Sequence, residues 1–168
     1  MSDGSSDLAA RALAAAAAER AEQEEQARRE RARQAQAYYQ ARRAAAATAS
    51  EVLGYPVPPK RWEVEWYTNL AAVRKDWRVK TVVEGVGLFT QGWPPGYGPD
   101  PARPLPVFVI PGDVQGFRQP RLERLTLASF GRALEELEAS REIQRAIEAG
   151  DMQRVTELAE ARKRQHGR

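Results

Sequence analysis

Two patterns of apolar and polar positions divide the chain. From Asp7 to Leu53 the apolar residues are almost all alanine, set among Arg, Glu and Gln without a Gly or Pro. These residue types lose little side-chain freedom in a helix, so the segment predicts one long helix. Ser5, Ser6 or Asp7 can cap its start. Gly54 can supply the left-handed residue after its last turn, and Pro56, Pro58 and Pro59 bar continuation. Glu24 with Arg28 and Glu25 with Arg29 stand at the favourable i,i+4 spacing, worth roughly 0.3 kcal/mol a pair. Such a helix would reach roughly 70 Å.

A stripe at three- and four-residue steps follows this helix through Ala14, Ala18, Ala21, Glu25, Arg28, Ala32, Ala35, Tyr39, Arg42, Ala46, Ala49 and Leu53. A dimeric coiled coil asks for Leu or Ile at these places, and Glu25, Arg28 and Arg42 interrupt the seam. The expectation is a solvated arm whose docking partner is either the rest of this chain or another molecule. Tyr38, Tyr39, Arg42 and Arg43 are its candidate contact residues. Neighbours on a helix point about 100° apart, so the two tyrosines cannot enter one groove. One of them is expected to pack on the folded part.

After residue 61 the pattern changes to strand-like alternation. Trp62, Val64 and Trp66 alternate with Glu63, Glu65 and Tyr67, which predicts a first strand. Residues 69–76 read as a loop or short turn. Residues 77–90, with Val79, Val82, Val83, Val86, Leu88 and Phe89, read as one long strand, with Gly85 and Gly87 marking a bulge or close backbone contact. Residues 104–110 predict a third strand. Short connections favour an antiparallel sheet. The C-terminal part returns to helical spacing. Thr126 or Ser129 caps a helix with Phe130, Leu134, Leu137, Ile143 and Ile147 on its inner face. Gly150 ends it, and Asp151 caps a second helix. The first of these helices is expected to cover one sheet face.

The fold class expected is therefore α+β. A helical arm (residues 1–54) and a proline-rich linker (55–61) precede a small domain (62–168), built from a three-stranded antiparallel sheet and a C-terminal helical hairpin.

Composition narrows the chemistry. The chain has 168 residues, a net charge of +3 and no cysteine. Disulfides, thiolate metal sites and a cysteine nucleophile are excluded, and a cytoplasmic location is expected. The alanine-rich run near the start does not read as a signal peptide, because Asp3 and Asp7 make its flank acidic and Arg11 interrupts it. No stretch approaches the roughly 18 apolar residues of a membrane span. Charges of both signs are spread over all three segments. The basic pI comes from Arg outnumbering Lys, as in GC-rich bacteria and their phages, and not from a basic block.

The lone histidine, His166, stands near the end of the sequence, which removes Ser-His-Asp chemistry and histidine metal sites. Glu63 and Glu65 share one strand face and leave a carboxylate mechanism formally open, although alternating Glu is the ordinary wet side of a strand. Gly85-Val-Gly87 lacks the third glycine and the following helix of a dinucleotide fingerprint. Pro94-Pro95-Gly96-Tyr97 and Pro56-x-x-Pro59-x-Arg61 match loose peptide-ligand patterns. They direct attention to the 91–103 loop, where Trp93 and Tyr97 are candidate interaction residues.

No cofactor, metal or catalytic residue is expected. The leading expectation is a non-enzymatic interaction or assembly protein that meets a protein partner, or a second copy, through the N-terminal helix. The alternative is a weak, sequence-nonspecific nucleic-acid binder using Lys75, Arg78 and Lys80. No membrane contact is expected.

Overall fold

The structure, a computed structural model, describes residues 3–110 and 122–166. Its first element is a single helix, α1, Asp3–Leu53. At 51 residues it is roughly 75 Å long. It begins before Ser5, Ser6 and Asp7, so these residues lie within its first turns and not ahead of it. After the helix, the Val57 N–H donates to Ser50 Oγ at 2.9 Å, which turns the chain back along α1. A 3₁₀ turn at Pro59–Arg61 leads into the sheet.

Among the described residues the sheet has five strands, not three. They are β1 (Glu63–Asn69), β2 (Arg74–Val83), β3 (Val86–Thr90), β4 (Val107–Val109) and β5 (Glu123–Arg124). They lie in chain order, each antiparallel to the next. The stretch expected to be one strand over 77–90 is β2 and β3 joined by a two-residue turn, with Val83 opposite Val86. Glu84 and Gly85 have φ of 51° and 85°, the mirror-image turn whose twist suits a hairpin. Gly85 also lies under α2 (Leu127–Glu148). A Cβ there would sit 2.6 Å from the Leu137 side chain, so neither its φ nor its space admits a larger residue. The expected loop at 69–76 is a turn over residues 70–73 only, with β1 reaching Asn69 and β2 starting at Arg74. The third expected strand shrinks to Val107–Val109.

One face of the sheet is apolar. Trp77, Val79 and Val83 of β2, Val86 and Leu88 of β3, and Val107 and Val109 of β4 are all buried. Against them lie Ala37, Ala41, Ala45 and Ala49 of α1, three of the four wholly inaccessible. Alanine carries only a Cβ, so the helix backbone comes close while the sheet's Trp and Val side chains fill the interface. α2 covers the β3–β4 end of the same face through Phe130, Ala133 and Leu134. Thr126 caps α2 in a reciprocal pair with Ser129. Ile147, expected on its inner face, is half exposed, and Ala146 takes the buried place. α3 (Met152–His166) folds back along α2, tied by Arg154 to Glu142 at 2.8 Å. Among the described residues none of its side chains is buried. Among the described residues no helix is long and apolar enough to cross a membrane.

Candidate interaction surfaces

The docked end of α1 begins at Gln34 and Ala37. Tyr38 meets Trp77 edge-on, ring centroids 4.7 Å apart. Trp93 lies on the other side of Trp77 at 4.9 Å and exchanges both backbone hydrogen bonds with it at 2.8 Å. Trp93 is therefore a core residue and is not available as an interaction residue. The loop that carries it straps α1 to the sheet. Gln34 Oε1 accepts from the Gly96 N–H, and Thr48 Oγ1 donates to the Leu105 carbonyl at 2.9 Å. At Gly98 a Cβ would lie 2.8 Å from the Ala37 Cβ. Pro94-Pro95-Gly96-Tyr97 is a tight turn, closed by the Tyr97 N–H on the Pro94 carbonyl at 3.2 Å, with Gly96 at a φ of 80°. Tyr97 keeps its ring in solvent, while its carbonyl accepts from the Trp77 indole at 3.1 Å.

The remaining arm residues divide between the two sides of the helix. Tyr39 is exposed, with the Arg43 guanidinium 5.6 Å over its ring. Arg42 is half-buried, and its Nε is enclosed without a hydrogen-bond partner among the described residues. From Ser6 to Glu24 every residue of α1 is exposed, including Leu8 and Leu13. Among the described residues only Glu25, Ala27 and Gln34 are partly covered before Ala37, and Glu25 holds Arg28 at 2.7 Å and Arg29 at 2.9 Å.

Among the described residues no helix packs on the other sheet face. Strand alternation sends Arg78 and Lys80 to this face and Lys75 to the opposite one, so the three candidate cations do not share a face. Glu65, directly across from Arg78, accepts from Arg78 Nε at 2.8 Å and from Lys80 Nζ at 2.7 Å. Arg78 is also clamped between the rings of Tyr67, at 4.7 Å, and Phe89, at 4.4 Å. Burial pushes the Glu65 carboxyl up, but the hydrogen bonds and charges of Lys80 and Arg78 outweigh it and hold the group below the usual carboxylate value. An ionised, doubly bonded carboxylate is a poor general acid or base. The result is a shallow groove of about 530 Å³ between Lys60, Arg61, Lys80 and Phe89.

The sequence reading missed this cluster, because only the β1–β2 register brings Glu65 to Arg78. At the end of the same hairpin, Asp76 is buried and accepts from Asn69 Nδ2 and Arg74 Nε, both at 2.7 Å. Those bonds hold its carboxyl below the usual range. Among the described residues no group of three or more His, Cys, Asp or Glu is placed to hold a metal ion.

No protein-family model matches the chain, and no curated protein or solved structure matches it.

Proposed function

We propose that this chain is a non-enzymatic interaction or assembly protein, in which the folded unit holds the N-terminal stretch of α1 out as a contact helix. One observation carries the reading. A single unbroken helix is buried in the core from Ala37 onward, yet exposed on all sides over residues 6–24. A solvated helix of this length, rich in alanine and charge, adds nothing to the core. In isolation it would also suffer from a costly nucleus. Here the docked end supplies the nucleus, so the projecting end is held ready for a partner and loses less entropy on binding.

The nucleic-acid alternative has less support from the sheet. Two of its three cations already serve Glu65, and the third is on the other face. Salt-dependent binding of DNA or RNA at low ionic strength would favour it instead.

The test compares the full chain with a chain lacking residues 1–33. Light scattering over a range of concentrations reads self-association, and affinity purification of each form reads bound protein. Association that requires the arm is expected. A concentration-independent monomer with no arm-dependent bound protein would overturn the proposal.

A further inference from the structure

The charges of the projecting helix are segregated. Between Glu19 and Glu25 stand four glutamates and one arginine, and between Arg28 and Arg33 stand four arginines and one glutamate. The boundary falls between Gln26 and Ala27. Between residues 18 and 35 the exposed stripe is symmetric about that same point. Counting outward from the boundary, Glu25 mirrors Arg28, Ala21 mirrors Ala32, and Ala18 mirrors Ala35. From residue 14 to residue 39 the stripe drifts by only about 20° around the helix at about 100° per residue, so it is one straight face. Tyr39, at its end, is exposed and half a turn away from the buried Ala37 and Ala41. The face therefore looks away from the sheet that holds the helix.

A face with mirrored small residues and inverted charge across its midpoint is complementary to itself run backwards. We infer that its occupant is the same helix of a second copy, lying antiparallel with its centre at Gln26–Ala27. This rests on the contact-helix reading above and names its partner. In this register Glu25 of each copy meets Arg28 of the other, and the two acidic blocks lie on the two basic blocks. A parallel pair would set acidic on acidic and basic on basic, which costs affinity. Facing alanines let the two backbones approach closely, and the charge pattern fixes direction and register. Exposed ion pairs are screened by salt, so the pair weakens as ionic strength rises.

The chain has no cysteine, so an introduced thiol is the only one present. Ala21→Cys and Ala32→Cys stand at exposed helix positions and leave the fold intact, as circular dichroism will show. Mixed and air-oxidised, the two full-length variants should give the mixed disulfide, position 21 of one copy to position 32 of the other, well above the share that random pairing produces. Glu25→Arg and Arg28→Glu should each weaken self-association by about tenfold or more, and an equimolar mixture of the two should restore it. Preferential joining of position 21 to position 21 would show a parallel pair and overturn the inference. So would a monomer at all concentrations in light scattering. If that monomer still retained another protein through residues 1–33, the contact-helix reading would stand and only the second copy would be lost.

Discussion

The two ends of α1 have nearly the same residues and opposite fates. Ala37, Ala41, Ala45 and Ala49 form part of the core, while Ala14, Ala18, Ala21 and Ala32 lie in water. Alanine makes both ends helical for the same local reason. What separates them is the surface offered on the other side. Trp77, Trp93, Val79 and Val107 fill the space beyond the docked alanines, and the strap from Trp93 to Leu105 holds the helix in place. The lesson is that a small side chain is neutral, and its neighbour decides whether it is core or surface.

The largest effect should come from removing what faces the docked end. Trp77→Ala takes away the ring between Tyr38 and Trp93 and the indole bond to Tyr97, and should cost about 3–5 kcal/mol in chemical denaturation. Next in size is overpacking. Ala45→Leu pushes a larger side chain into a position with no accessible surface and should cost about 1–3 kcal/mol. Ala18→Leu, on the projecting end, should stay within about 0.5 kcal/mol. Equal costs at the two positions would erase the distinction between the ends.

Acid should reach the docked end through the sheet. The folded-state pKa of Glu65 lies below its usual 4.5, so its ionised form contributes stability above that value. The contribution is lost as pH falls through the depressed value. Glu65→Gln should therefore flatten the decline of stability with acid over that window, read from denaturation midpoints at a series of pH values. An unchanged slope would remove Glu65 from the account of the anchor. Smaller still, deletion of residues 1–33 should move the denaturation midpoint by no more than about 0.5 kcal/mol, because among the described residues of that stretch none belongs to the core.

Much of this contrast was legible in the sequence, and the rest was hidden for definite reasons. Propensity and the proline stop marked the helix. They could not choose its docking face, because alanines stand on every side and no stripe outranks another. The expected stripe is two surfaces in succession. Up to Tyr39 it is exposed apart from the partly covered Glu25, and at Ala46 and Ala49 it is core. The β2–β3 turn was hidden by valines on both sides of Glu84-Gly85. β5 is two charged residues, Glu123 and Arg124, with no apolar alternation, and only its pairing with β4 makes it a strand. Trp93 read as a candidate interaction residue on a loop, and the structure packs it against Trp77. The Glu65 cluster needs cross-strand register, which local spacing does not encode.

The smallest effect tests whether the projecting end has stability of its own. Glu25 bonds Arg28 and Arg29 one turn further on, at exposed positions. Such pairs contribute about 0.2–0.5 kcal/mol to a helix. Glu25→Gln should therefore leave the global unfolding midpoint where it is. It should speed hydrogen exchange of the amides around residues 22–32, because those amides open by local fraying and not by global unfolding. Amides of residues 41–49 should exchange as before. If the substitution instead accelerated exchange at both ends, α1 would be opening as one unit. The docked end would then be no more than a continuation of a helix that stands or falls as a whole.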